Sequence, residues 1–312
     1  MIADVQRIPI ASREEWLKLR LQDVTASDVA ALFGKSPYKT MLGLFAEKAG
    51  LIAPDVEEND DMIRGRYMEH ALLAAAADHP LLTDRGFEKC SHYYRSPSWR
   101  IGATPDAVVI EAGGNRLEPV DTKSVRSFVF DSQWADGVPM HIQLQVLVQA
   151  MLIDAPRGWV ACGVDTQFPL HVFEVPRHGK AEQTIRDAVD AFWKAVDVGV
   201  PPEPCAGDHD TLAALFPRAD RPEPLDWAND TEVLTLLDRR AEIGDIVKPL
   251  EGEKAEIDAK IKARMGAHGL ALAPGWRVTW SEAFRPEKLQ PASTYRVLRV
   301  KALTPDQEEM AA

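Results

Sequence analysis

The chain has 312 residues, 46% of them hydrophobic, and a formal net charge of −12. That apolar content supplies a full core for one large domain, or for one domain with an appendage, and excludes wholesale disorder. The acidic balance counts against a surface that binds nucleic acid everywhere, because phosphate contacts need Lys and Arg; it leaves open a basic track confined to one region.

No apolar run approaches the roughly 18–20 residues of a membrane span. The N-terminal stretch lacks the basic segment and apolar core of a secretory signal, so a cytoplasmic location is expected. The three cysteines, Cys90, Cys162 and Cys205, have no metal-site spacing and are expected to be structural thiols rather than a disulfide framework.

Residues 12–22 read as a short helix with Trp16, Leu17 and Leu19 partly buried. Thr25-Ala26-Ser27-Asp28 has capping-box character, a hydroxyl followed by an acid three residues on, and opens a helix that stops at Gly34. Thr40 caps the next helix, which ends near Gly50, and another runs from about residue 61 to 78. The middle of the chain changes to strands near 92–95, 100–103, 107–111 and 116–122, the last two joined by the turn signal Gly113-Gly114-Asn115. A helix is predicted over 140–153, strands near 158–164 and 170–175, and an amphipathic helix over 179–198 with Ile185, Val189, Phe192 and Val196 on one face.

The proline-rich run from Val200 to Pro204 reads as a linker. Residues 1–200 would form one domain and 201–312 a C-terminal extension, with a charged helix over 231–266 interrupted near Pro249. Residues 276–280 and 295–300 would pair as a small terminal hairpin. Helices, strands, a helix and a strand in that order predict one mixed sheet flanked by helices, an α/β fold of α+β character.

The chemistry concentrates in Thr104-Pro105-Asp106 and Asp121-Thr122-Lys123. A hairpin between them brings Asp106 beside Asp121, and Asp121 and Lys123, two apart on a strand, share a face. Two carboxylates and an ammonium at one spot suit phosphodiester hydrolysis. The carboxylates bind a hard cation such as Mg²⁺, and the lysine neutralises charge developing on phosphate. Glu69 lies mid-helix among Met68, Ala71, Leu72 and Leu73, where a carboxylate facing the core requires a cation or metal. Gln143 and Gln145 sit early in the following helix, and either could hydrogen-bond the lysine, the attacking water or a phosphate.

In order and spacing, these segments resemble the YqaJ-like viral recombinases, the group that includes phage lambda exonuclease, within the PD-(D/E)xK nuclease superfamily. The resemblance spans roughly residues 13–175. It runs through Arg20 to Asp28, Gly34 to Thr40, Gly65 to Glu69, Ala103 to Asp106, Asp121-Thr122-Lys123, Trp134, Val138-Pro139 and Gln145. It implies a PD-(D/E)xK core and a Mg²⁺-dependent 5′→3′ exonuclease that leaves 3′ single-stranded tails for recombination. Two Mg²⁺ ions are implied, with Mn²⁺ able to substitute.

By the same resemblance Asp106, Asp121 and the Thr122 carbonyl would hold metal, and Lys123 would be the catalytic lysine. Glu69 would act through the metals directly or by water, and Gln145 would contact the lysine or nucleophile. Arg20 and Ser27 would hold the 5′-phosphate of a DNA end, and Met62 falls where an apolar wedge is placed.

Family members form ring-shaped trimers that thread DNA, so only the channel need be basic, with Lys35, Lys39, Arg64, Arg66 and Arg126 as its lining. The implied partners are double-stranded DNA ends and a single-strand annealing protein, in a phage-infected or lysogenic bacterial cell. The sequence departs from the family at Asp121, where glutamate is usual, and at His141-Ile142, where aromatics are common. Two other readings are an endo-acting or structure-specific nuclease and an inactive DNA-end-binding scaffold; the intact Asp106, Asp121 and Lys123 argue against the scaffold.

Overall fold

The computed structural model describes residues 4–54, 59–110, 117–165, 170–221, 223–284 and 295–300. The chain forms two compact units, Met1–Phe216 and Pro217–Ala312. The first opens with β1 (Gln6–Pro9) and α1 (Arg13–Gln22). Ser12 caps α1 by accepting the Glu15 N–H at 3.2 Å, satisfying one of the helix's orphan donors. Then follow β2 (Val24–Thr25), the four-residue helix α2 (Val29–Leu32), α3 (Met41–Lys48) capped by Thr40, and α4 (Asp60–Ala77) capped by Asn59.

Four strands come next: β3 (Gly86–Lys89), β4 (His92–Ser96), β5 (Ile101–Ala103) and β6 (Ala107–Ile110). The long β7 (Leu117–Val125) leads through α5 (Ser127–Gln133) and α6 (Met140–Ile153) to β8 (Arg157–Val164) and β9 (His171–Pro176). The unit ends with α7 (Gly179–Val198), a 3-10 turn at Ala206–Asp208 and α8 (His209–Leu215).

The strands form two sheets, where the sequence pattern suggested one. The larger has the order β3-β6-β7-β8-β9, with β7 and β8 parallel and the other pairs antiparallel. The smaller has the order β1-β4-β5-β2, so the segments at 92–96 and 101–103 leave the central sheet. The reason lies in β1 and β2, which are too short and polar to announce themselves as strands yet pair with β4 and β5. The Gly113-Gly114-Asn115 turn lies outside the described residues, but the hairpin it was expected to close is present, with Ala107 opposite Val120 and Ile110 opposite Leu117.

The central sheet is covered on both faces, which makes the architecture mixed α/β as its pattern implied. On one face Leu72, Leu73 and Ala76 of α4 pack on Ala107, Val109, Val120 and Trp159. On the other, Ile142 and Val146 of α6 pack with Trp134 on Val160 and Cys162. A third core joins α2, α3, α6 and α7 to β4 and β5 around Phe45, Ile101, Met151 and Phe192. Helix α6 is therefore apolar almost all round, as a helix buried between two cores must be.

The first unit runs past residue 200, through Phe216. Thr40 donates its hydroxyl to Asp208, and the Cys205 N–H donates to the same carboxylate at 2.6 Å, which fastens the proline-rich segment to the start of α3.

In the second unit α9 (Thr231–Met265) continues through Pro249 without the expected interruption. Its hairpin pairs β10 (Leu270–Ala273) with β11 (Trp276–Thr279), whereas residues 295–300 form no strand. Among the described residues, no helix is long and apolar enough to cross a membrane.

Candidate active site

Strand β7 is the spine of the site. Its register against β8 sets Asp121 beside Val160 and Lys123 beside Cys162, on the α6 side of the sheet. Asp106 is fixed just ahead of β6 by two backbone bonds: its N–H donates to the Val120 carbonyl at 3.1 Å and its carbonyl accepts from Cys90 N–H at 3.0 Å. Thr122 then donates to one Asp106 oxygen twice, from its N–H and its hydroxyl, both at 2.7 Å. The hairpin thus brings both carboxylates to the same end of the sheet, as the spacing of the two motifs predicted.

The Lys123 ammonium donates to Asp121 Oδ2 and, at 3.3 Å, to Gln145 Oε1. The other Asp121 oxygen accepts from Gln145 Nε2 at 2.8 Å and from Gln149 Nε2 at 2.9 Å. Residues four apart on a helix share a face, so α6 presents this glutamine pair as one unit. Gln143, the rival candidate, is exposed and donates instead to the Val138 carbonyl at 2.6 Å. Gln149, which is 1% exposed, went unread in the sequence. Its position one turn beyond Gln145 in an otherwise apolar helix was the available signal.

These contacts set the charge states. Loss of water around Asp106, with the Asp121 carboxylate beside it, pushes Asp106 up to about 7. Burial works against the charge of Lys123, but Asp121 and Asp106 outweigh it and hold its pKa above the ordinary lysine value. His141 is held below the usual histidine range by burial and by Lys123, and its ring meets that of Tyr38 edge-on at 6.1 Å.

The residues fit a divalent cation. Among the described residues, Asp106 Oδ1 makes no hydrogen bond, and an acid forced toward neutrality beside a second carboxylate is relieved by bound positive charge. No cluster of three or more His, Cys, Asp or Glu surrounds them among the described residues.

Glu69 stands apart from the pair. It bonds Lys89 of β3 at 2.8 Å, and Lys89, raised above its usual pKa chiefly by Glu69, also feels Asp106. The half-buried glutamate has thus found the cation its environment called for, in a lysine that sequence reading passed over.

The predicted phosphate residues come together at the end of α1. Arg20 Nη2 approaches Ser27 Oγ at 3.4 Å, and Ser27 shares a 2.9 Å hydroxyl contact with Thr25. Ser27 lies in the turn before α2 rather than in a helix's first turn. Asp28 accepts the Thr25 N–H at 3.2 Å and the Thr25 hydroxyl at 2.7 Å, but α2 begins only at Val29 with no side-chain cap, so the expected capping box closes a turn instead of opening the helix.

Arg20 stacks over Trp16 at 4.6 Å, and the Trp16 indole N–H donates to Thr104 Oγ1 at 3.0 Å, two residues before Asp106. That chain of contacts links the arginine to the carboxylate hairpin. Lys48, 4% exposed, donates to the Arg20 carbonyl at 2.7 Å and lies 3.5 Å from Asp28. Burial opposes ionisation of Asp28, but Lys48, Lys39 and Arg20 hold it at about 2. A cleft of about 270 Å³ opens here, lined by Lys18, Arg20, Lys39 and Lys48 among others.

The other basic candidates are more scattered. Lys35 is exposed. Lys39 is compensated by Glu47 at 2.6 Å and Asp28 at 3.7 Å, which reduces its standing as a free phosphate contact. Arg64 is half-buried, and Arg66 lies over the Tyr67 ring at 4.8 Å. Arg126, just past β7, reaches Asp61 at 3.4 Å, which brings the start of α4, with the exposed Met62, near the end of the strand that carries Lys123.

The sequence of residues 15–155 matches the YqaJ-like viral recombinase domain. That span includes Arg20, Ser27, Glu69, Asp106, Asp121, Lys123, Gln145 and Gln149. Among solved structures, an alkaline exonuclease from Laribacter hongkongensis is similar at 21% identity and a TM-score of 0.48, over 60% of this chain and 94% of that one. Its complex with dAMP gives a TM-score of 0.49 at the same identity and coverage. A phage-related exonuclease from Haemophilus somnus 129PT is similar at 13% identity and a TM-score of 0.43, over 57% of this chain and 95% of that one. No curated protein matches the chain.

Proposed function

We propose, from the match of residues 15–155 to the YqaJ-like viral recombinase domain, that the chain is a divalent-metal-dependent deoxyribonuclease that digests one strand of linear duplex DNA 5′→3′. The observation that carries this reading is the convergence of Asp106, Asp121, Lys123 and Gln145 at one end of a hairpin, joined through Thr104 and Trp16 to Arg20.

Asp106 and Asp121 are the metal-holding residues, with the Thr122 carbonyl as a further donor and Mg²⁺ as the ion, for which Mn²⁺ would substitute. When bound, the cation polarises the phosphoryl group and lowers the pKa of water. A second ion would draw on Glu69, released from Lys89. Lys123, kept charged by the carboxylates, neutralises the charge that grows on phosphate in the transition state. Gln145 holds Lys123 and Asp121 in a fixed relation, and Gln149 braces Asp121 from behind.

The charge states predict a pH dependence. A cation binds the Asp106 carboxylate and not the acid, so metal affinity should rise with pH and level off above about 7. Titration calorimetry should find proton release on Mg²⁺ binding near pH 6 that fades by pH 8.5. Without metal the sign is reversed for stability. An acid whose folded pKa lies above its unfolded value costs the fold stability as pH rises from the unfolded to the folded pKa. Asp106→Asn should therefore raise the melting temperature of the metal-free protein by a few degrees at pH 8 and leave it unchanged near pH 3.5. Equal melting temperatures at pH 8 would contradict the raised pKa.

Arg20 and Ser27 would receive the terminal 5′-phosphate, the guanidinium fork and hydroxyl acting as charged and neutral donors. A 5′-phosphoryl end should then be digested faster than a 5′-hydroxyl end, and Arg20→Ala should remove the preference while the metal site still cleaves. The measurement is the ratio of rates on the two ends. A ratio near one in the wild type, or an unchanged ratio in the variant, would locate the phosphate elsewhere.

The net charge of −12 is reconciled with DNA binding if the basic residues line a ring, and a homotrimer is the assembly proposed. Its 3′ single-stranded product would pass to an annealing protein in the bacterial cytoplasm. Light scattering should give a trimeric nuclease core under processive conditions; a strict monomer that digests processively would remove the ring.

A further inference from the structure

Helix α9 carries a repeat that the nuclease site does not use. Leu236, Ile243, Leu250 and Ile257 follow one another at intervals of seven, and Val233, Arg240, Val247, Lys254 and Ile261 form a second row, whose members stand three residues before or four after members of the first. That is a heptad seam, with every position of one row aliphatic and two cations in the other. Leu236, Ile243, Leu250 and Ile257 are 63, 46, 58 and 47% exposed, so the described residues leave the stripe uncovered. A helix this long in water draws its stability from packing an apolar face rather than from propensity, and α9 carries Gly244, Pro249 and Gly252 besides.

From this seam we propose that α9 is a self-association helix, on which a second copy of α9 docks antiparallel. The charges choose both the occupant and its direction. In a parallel pair, residues of one row meet their own copies: Arg240 would face Arg240, Lys254 would face Lys254, and the flanking Glu253 would lie against Asp258. Turned antiparallel about an axis at the level of Asp245, the seam closes instead as Val233 on Ile257, Leu236 on Lys254, Arg240 on Leu250 and Ile243 on Val247.

Each cation then lays its aliphatic stem on a large apolar residue and carries its charge to the rim. Arg239 of each copy comes beside Glu253 of the other, and Gly244 meets Gly244 where the backbones approach. Among the described residues, Arg239 is otherwise engaged only in an exposed 2.8 Å pair with Glu242, three residues on, which is weak and easily exchanged. The contact spans residues 233–257, about 36 Å of helix.

This association is independent of the nuclease reading and of the ring. It doubles whatever assembly the first unit makes, so it is read as a factor of two in mass. The test is sedimentation equilibrium of the full-length chain as wild type, Ile243→Asp, Arg239→Glu, Glu253→Arg and the double variant, with circular dichroism to follow α9.

Each single reversal turns two symmetry-related attractions into repulsions and should weaken association about tenfold. The double variant, with the charges exchanged, should restore it. Ile246→Cys should also form a disulfide between copies, because the antiparallel axis sets the two Ile246 positions together, whereas Arg240→Cys should not. A wild-type mass equal to that of Ile243→Asp at every concentration would overturn the proposal and leave the seam to a different protein. So would single reversals without effect, failure of the double variant to recover with helicity intact, or cross-linking through Arg240→Cys, the parallel signature.

Discussion

Asp106→Ala and Asp121→Asn should each lower the rate of DNA hydrolysis by about 10³-fold or more, while the folded structure persists. Metal-assisted polarisation contributes several kcal/mol to phosphoryl-transfer transition states, and each 1.36 kcal/mol is a factor of ten. The two changes act differently. Asp106→Ala removes a carboxylate whose only described bonds come from Thr122, so little of the surrounding structure depends on it. Asp121→Asn keeps the shape of a buried side chain but removes the charge that faces Lys123, Gln145 and Gln149. Steady-state rates on linear duplex with Mg²⁺, together with thermal melts, separate loss of chemistry from loss of fold. Rates near wild type in either variant would detach the carboxylates from the reaction.

Lys123→Ala should reduce kcat by about 10²-fold or more and change DNA affinity little if, as proposed, its ammonium acts where charge develops rather than where DNA first lands. The environment supports that role. Lys123 lies between two carboxylates that keep it protonated through the pH range in which Asp106 ionises. Lys123→Arg should recover only part of the rate, since a planar fork does not reproduce a compact point charge. Single-turnover kinetics at saturating DNA decide the matter. A variant that binds weakly but cleaves bound DNA at the normal rate would make Lys123 a phosphate anchor.

Much of this site was legible in the sequence because its parts are local. Asp121 and Lys123 share a face by strand alternation alone, and Asp106 reaches them across one hairpin. The capped start of α3 at Thr40 was equally readable, since a cap is a contact over three residues. What escaped notice depends on distant partners. Gln149 looks like an interruption in an apolar helix until Asp121 is set against it. Lys48 looks like a solvent-facing lysine until the end of α1 is brought near it, and Lys89, itself exposed, gains a role only once Glu69 is set against it.

The same distinction explains the corrections to the fold. The four-stranded sheet depends on pairing β4 and β5 with strands of four and two residues that carry no alternation of their own. The division between units moved to Phe216 because Asp208 bonds Thr40 across most of the first unit. In α9 the proline was expected to interrupt the helix, yet the helix runs on for 35 residues.

A single time course distinguishes a strand-specific exonuclease from the alternatives. Linear duplex DNA carrying a 5′-phosphate, with each strand labelled at a different end, is incubated with the protein and Mg²⁺, and the products are resolved over time. Asp121→Asn and a covalently closed circle of the same sequence serve as controls. The expected result is mononucleotides released progressively from the 5′-phosphorylated strand, a complementary strand left intact, an untouched circle and no product from the variant. Cleavage of the circle at a rate like that of the linear duplex, or equal degradation by Asp121→Asn, would contradict it.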